Sequence, residues 1–163
     1  MERPNLQIEI RSAIYGDLER LCELWQQLME LHAELDPIFT PARDGRDHYR
    51  RWLRYHLDEP DSQVIIAEAE GRVAGYILAQ VQTIPPVMRF RRIGFISDMV
   101  VDAAWRNCGV GRAMVRELEH RMRDLGIERL ELKSSSRNPQ ANHFWEKVCG
   151  FEEFVKVRCK PLK

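Results

Sequence analysis

A mixed α/β domain of the α+β kind, with a central, mostly antiparallel sheet flanked by helices, is the fold the 163-residue sequence predicts. Three observations predict it. The hydrophobic period switches repeatedly between two and three-to-four, so strands and helices follow one another. The early strands are joined by a tight turn, which makes them antiparallel. The last strong helix lies between two strands, which makes a β-α-β crossover and a parallel pair.

Leu6, Ile8 and Ile10 alternate with Gln7, Glu9 and Arg11, a half-buried strand. Leu18, Leu21, Trp25, Leu28, His32 and Leu35 then fall three and four apart on one helix face, with Asp17 placed to cap its start. Pro37 and Pro41 end that helix. A second helix follows in "RDHYRRWLRYHL", with Tyr49, Trp52, Leu53 and His56 on one side. Val64 to Glu68 and Val73 to Val81 form a hairpin around Glu70-Gly71. Pro85 and Pro86 lack amide donors, so "TIPPVMR" is a loop.

"IGFISDMVV" is nearly apolar throughout and reads as a central strand. A helix from Gly111 to Leu125 carries Met114, Leu118, Met122 and Leu125 on one stripe, and Gly126 suits the position just past its end. "ERLELKS" is a short strand, and "NPQANHFWEKV" a short helix with Pro139 in its first turn. "FEEFVKVRCK" alternates again and is expected to close the sheet. The order is β-α-α-β-β-β-α-β-α-β, in a single domain spanning residues 1–163 without repeats or a linker.

Lysine plus arginine number 25 and aspartate plus glutamate number 25, so the chain is electrically balanced. That argues against nucleic acid as a partner. No apolar run approaches the roughly 18 residues of a membrane span, and the first residues lack a signal-peptide core. Cys22, Cys108, Cys149 and Cys159 have neither C-x-x-C nor zinc-finger spacing. They read as reduced thiols of a cytoplasmic protein that binds no metal.

The corner "VVDAAWRNCGVGRAMV" places Arg106, Gly109 and Gly111 where a strand hands over to a helix. Amides at a helix N-terminus converge on one spot and the dipole there favours an anion. Glycines let that anion reach the backbone. A P-loop requires Lys-Ser/Thr after the glycines, but Arg112-Ala113 stands there. A dinucleotide fingerprint requires a third glycine where Met114 stands. A tight turn with no ligand is the plain alternative.

The remaining pattern, R-x-x-G-x-G, resembles the acyl-CoA signature of the GNAT superfamily of N-acetyltransferases. "VAGYILA", "ISDMVV", "LELKSSS" and "NPQANHFWEKVCGF" fall in that family's order, so the resemblance covers nearly the whole chain. It implies an enzyme that moves acetyl from acetyl-CoA to a primary amine by direct attack. Met99, Val100 and Val101 would pair through backbone groups with the pantetheine arm. Backbone amides near Val100 and Val101 would polarise the thioester. Asn107, Cys108, Gly109, Val110, Gly111 and Arg112 would wrap the pyrophosphate, and Arg106, which opens the signature, would bind the cofactor as well. Asn138 would touch the cofactor, cap the last helix, or both. By analogy with relatives, a homodimer is implied as well.

Two departures from the family pattern stand out. Many relatives carry a tyrosine acid where this chain has Trp145, and one extra residue precedes Gly150-Phe151. An indole N–H donates a hydrogen bond but is no usable acid. A non-catalytic acyl-CoA-binding module is therefore the contrasting reading. Some relatives use a glutamate where Ser97 stands. Asp98 is the acid nearest that place, either as base or substrate anchor or as a structural acceptor. Strict alternation would turn Ser97 and Asp98 to opposite faces. Glu34, Asp36 and Tyr76 are weaker candidates for the acceptor side, and Arg89, Arg91 and Arg92 form a basic loop.

Overall fold

The computed structural model describes residues 7–160 and residue 162. Leu6, assigned above to the first strand, lies outside the described residues. The chain divides into two compact units, one up to Lys133 and one from Ser134.

In the first unit, β1 (Ile8–Ser12), β2 (Ser62–Ala69), β3 (Arg72–Thr83), β4 (Arg92–Val101) and β5 (Leu130–Leu132) form one sheet in chain order. The first three pairings are antiparallel and β4–β5 is parallel. The hairpin and crossover patterns predict this arrangement. Helix α1 (Leu18–Leu35) and helix α2 (Gly45–Asp58) cover one face, and helix α3 (Val110–Asp124) covers the other. Leu21, Leu24, Trp25, Tyr49 and Leu53 pack there on Val64, Ile66, Tyr76, Leu78 and Val100. Met114, Val115, Leu118 and Met122 form the buried stripe of α3. Helices on both faces explain why β2 and the middle of β3 are buried without alternation.

Glycines let the α3 face close. A Cβ on Gly75 would lie 2.5 Å from the Val100 carbonyl oxygen and 3.1 Å from Met114 Cε. A Cβ on Gly94 would lie 2.6 Å from Leu130 Cδ2. Gly75 and Gly94 therefore mark the α3 side of β3 and β4.

Asp17 stands at the N-cap position of α1, as the sequence predicts, but its side chain makes no cap bond to that helix. Its own φ of −84° and ψ of −15° are already helical, and it ends a short 3₁₀ turn, Tyr15–Asp17. Its carboxylate turns back instead, accepting from Arg11 at 2.9 and 3.0 Å and from the Ile14 amide at 2.8 Å. A buried carboxylate is better satisfied by a guanidinium fork and an amide than by one cap bond.

Helix α3 starts at Val110, one residue before the sequence expectation, and Gly126 follows it at φ +73°. In the second unit, α4 (Pro139–His143) runs into a π turn, Phe144–Val148. The expected last strand does not form, for residues 151–160 carry no regular structure. The doublets Glu152-Glu153 and Phe154-Val155 break the alternation, and Phe154, Val155 and Val157 stay exposed. Alternation makes a segment competent for pairing, but a strand exists only where another backbone meets its amides and carbonyls.

Candidate functional site

Strand β4 positions the site. It pairs with β3 from Arg92 to Val101, but with β5 only over Gly94, Phe95 and Ile96. Beyond Ile96 its second edge has no strand beside it among the described residues. The Asp102 amide bonds the Ala74 carbonyl at 2.8 Å. Antiparallel bonding alternates, so Val100 and Asp98 share the orientation of Asp102 and spend their backbone groups on β3. Met99 and Val101 then point theirs to the open edge. Of the two residues named from sequence for the thioester, Val101 turns its backbone groups to the open edge, as Met99 does, while Val100 spends its own on β3.

The open edge runs straight into the corner. Asp102 starts it, accepting from the Ala104 amide at 2.9 Å and pairing with Arg20 Nη2 at 2.6 Å. The Ala104 bond, aided by Arg20, holds the Asp102 carboxyl below its usual range. The Arg106 Nε donates to the Val101 carbonyl at 3.2 Å, which ties the turn to the strand end. The Cys108 thiol donates to the Arg106 carbonyl at 3.3 Å.

Asn107 at φ +60° and Gly109 at φ +84° both adopt left-handed conformations, the first tolerated by Asn and the second natural for Gly. Gly109 is the α3 N-cap and carries no side chain to cap it. The amides of Val110, Gly111 and Arg112 therefore have no intrahelical partner, and they share the positive end of a 15-residue helix. A groove of about 450 Å³, lined by Arg20, Arg72, Val73, Asp102, Ala104 and Trp105, lies beside this corner.

Asp98 stands where β4 parts from β5, and a β-bulge puts it there. Leu78 pairs with Asp98 but Ala79 pairs with Ile96, so Ser97 is an extra residue. Ile96 lies with Gly94 on the α3 side. Strict alternation would send Asp98 to that same side, but the bulge turns it to the face of α1 and α2. There Asp98 Oδ2 accepts from the Tyr49 hydroxyl at 3.2 Å, and Tyr49 meets the Tyr76 hydroxyl at 2.7 Å. Burial pushes the Asp98 carboxyl up to about 6, against the Tyr49 hydrogen bond, which lowers it. Tyr76 is fully buried, so it belongs to the core and does not line a cleft.

Sequence reading missed Tyr49 as a polar partner, because its helical period marked it only as apolar. A core tyrosine does signal such a role, since its hydroxyl must find a partner. Asp36 caps the 3₁₀ turn Pro37–Phe39 by accepting from the Ile38 amide at 3.1 Å, and Glu34 is exposed. Arg92 pairs with Asp61 at 3.1 Å, and Arg89 lies over Phe90 at 5.7 Å.

In the second unit, Asn138 Oδ1 accepts from the Ala141 amide at 3.0 Å, which establishes its cap role. Trp145 lies edge-on to Phe144 at 5.1 Å and to Phe151 at 5.3 Å. The Cys149 amide reaches the Phe144 carbonyl, five residues back, at 3.0 Å. A bond of this span closes a wider turn than the α-helical one, with room for one residue more. Among the described residues, no group of three His, Cys, Asp or Glu side chains is placed to hold a metal, and no helix is long and apolar enough to cross a membrane.

Known proteins share this architecture. The model of the acetyltransferase (GNAT) family matches residues 25–151. An aminoglycoside N(6')-acetyltransferase type 1 of Stenotrophomonas maltophilia is 35% identical over 40% of this chain, a match that spans only 42% of that enzyme. An L-amino acid N-acetyltransferase of Escherichia coli is 25% identical over 78% of this chain and 76% of its own. A mutant BH1408 protein from Bacillus halodurans superposes with a TM-score of 0.83 at 21% identity, covering 95% of this chain and 99% of that one. The aminoglycoside N-acetyltransferase AAC(6')-Iy, in complex with CoA, superposes with a TM-score of 0.75 at 17% identity, over 100% and 99% of the two chains.

Proposed function

The chain belongs to the acetyltransferase (GNAT) family, and from that premise we propose that it is an N-acetyltransferase that moves acetyl from acetyl-CoA to a primary amine, with residues 1–163 acting as one domain of that type. The observation that carries the reading is the open edge of β4 leading directly into the uncapped start of α3. Met99 offers an amide and a carbonyl, and Val101 an amide, along the open edge that an extended pantetheine arm matches, as an added strand would; the Val101 carbonyl is taken by Arg106. The amides of Val110, Gly111 and Arg112 face an anion such as a pyrophosphate, with Gly109 and Asn107 shaping the approach. The CoA complex of a structural neighbour supports the donor.

The thioester carbonyl lies against an edge amide of β4, which stabilises the oxyanion as the amine attacks. No Ser-His-Asp or Cys-His set is needed, because the amine is itself the nucleophile. Asp98, beside the same fork, holds the incoming ammonium and accepts its proton. The relatives named for aminoglycosides and L-amino acids support an amine acceptor. The leaving thiolate has an ordinary pKa of about 8.5 and departs without a strong acid, which makes Trp145 tolerable.

The test follows free thiol from acetyl-CoA across a panel of primary amines, beside thermal melting with and without acetyl-CoA. Release with at least one amine and a raised melting temperature are expected. A melt unmoved by saturating acetyl-CoA sinks the donor assignment. A raised melt with no thiol release from any amine favours a binding module, the reading that Trp145 keeps open.

A further inference from the structure

Four aromatic rings and two hydroxyls gather beneath Asp98, and once its carboxylate is ionised the hydroxyls have one arrangement of hydrogen bonds. Asp98 Oδ2 is 3.2 Å from the Tyr49 hydroxyl, which is 2.7 Å from the Tyr76 hydroxyl. An ionised carboxylate only accepts. Tyr49 therefore donates to Asp98, and having spent its single proton it accepts from Tyr76. Tyr76 is fully buried, so no water competes for that bond. The Tyr49 ring is clamped as well. Trp25 stacks on it at 4.4 Å and 10°, and Trp52 tilts against it at 5.5 Å. Its hydroxyl cannot swing away from the strand.

Asp98 Oδ1, by contrast, has no hydrogen-bond partner among the described residues, and Asp98 is only half-buried. One oxygen is anchored by Tyr49 from inside the core, and the other is left over on a residue that stands where β4 parts from β5. The groups facing Asp98 are Tyr49 from α2 and Tyr76 from β3, with Cys22 of α1 acting on Tyr76 from behind. Among the described residues no Lys, Arg or His pairs with this carboxylate.

We infer that Tyr49 is a positioning residue for the acceptor half of the reaction: backed by Tyr76, it holds one oxygen of Asp98 so that the other receives the ammonium of the acceptor. The inference rests on the reading of Asp98 given above. Tyr49 touches neither substrate and acts through Asp98 alone. Tyr76 acts through Tyr49 alone, by polarising its O–H.

The experiment titrates the intact protein, labelled at the aspartate carboxyl carbons, by NMR without donor or acceptor. Asp98 is identified by the signal lost in Asp98→Asn. Tyr49→Phe keeps the ring stack and removes the hydroxyl, so the Asp98 titration is expected to rise by about one pH unit. Tyr76→Phe is expected to move it the same way but less. In a Tyr49→Phe background Tyr76→Phe adds nothing, and that double variant leaves no buried hydroxyl unpaired should the single one fold poorly.

An unmoved Asp98 signal in a folded Tyr49→Phe protein overturns the inference, as does an equal Tyr76→Phe effect in both backgrounds. The acid limb of kcat/KM for thiol release is read in parallel with any amine that turns over. It is expected to follow the NMR shift. If the signal moves and the limb does not, Tyr49 positions a group the reaction ignores, and the inference falls while the acetyltransferase reading stands. If no amine turns over, the proposed reaction fails, and with it the catalytic role of Tyr49.

Discussion

Asp98→Asn should stabilise this protein while disabling it, and the stabilisation should depend on pH. Burial holds the Asp98 carboxyl at about 6 in the folded chain against an ordinary value of 3.8. Between those values the folded state binds the proton more tightly than the unfolded one. Stability therefore falls as pH rises through that window, and the full cost is present above it. At about 1.36 kcal/mol per unit, the shift costs about 3 kcal/mol at pH 8 and about 1 kcal/mol at pH 4.5. Asn keeps the shape and an oxygen for Tyr49, but never ionises.

The variant's advantage should then be larger at pH 8 by about 2 kcal/mol, or about 4–8 °C in melting temperature for a chain of this length. Partial exposure of the carboxylate makes that an upper figure. The assay is a pair of thermal melts of both proteins at the two pH values, beside kcat/KM for thiol release, which should fall about 10²–10⁴-fold. An equal melting difference at both pH values, or a less stable variant at pH 8, refutes the idea that a desolvated carboxylate is maintained here for function. Unchanged kcat/KM with an unchanged pH profile removes Asp98 from the chemistry.

Gly109→Ala forces a side chain into φ +84°, so about 1–2 kcal/mol of stability and several-fold affinity for acetyl-CoA should be lost, read by melting and by KM for the donor. Gly75→Ala puts a Cβ 2.5 Å from the Val100 carbonyl oxygen and should lower stability by about 1–3 kcal/mol, read by urea unfolding. For Asp17, burial raises the carboxyl but the bonds from Arg11 and the Ile14 amide outweigh it and the net shift is downward. Its stabilisation is present above pH 4 and lost as pH falls, so Asp17→Asn should cost about 1.5–3 kcal/mol at pH 7 and less at pH 3. Trp145→Tyr should raise turnover if proton delivery to the thiolate limits the rate; no gain under chemistry-limited conditions removes that idea.

The glycine corner was legible because its requirements are local. A left-handed residue before a helix needs Gly109 whatever packs around it, and uncapped helix amides attract anions in any protein. The hairpin, the crossover and the buried stripes were legible for the same reason, since each is written in the spacing of neighbouring residues. The tail at 151–160 misled because alternation reports competence for pairing and says nothing about a partner. Asp17 misled because a cap and an ion pair use the same carboxylate, and the choice depends on Arg11 being brought within reach.

Asp98 shows where local reading stops. Its residue type and its strand were plain from the chain. Its face was not, because a single unpaired residue at Ser97 reverses every side chain beyond it, and a bulge is defined only by the register of the neighbouring strand. Tyr49 and Tyr76 are 27 residues apart in the chain, and Tyr49 and Asp98 are 49 apart. No spacing rule links such positions. The geometry of the glycine corner thus follows from a short stretch of backbone, while Asp98 owes its place, its hydrogen bond and its raised pKa to burial among elements that meet only when the chain folds.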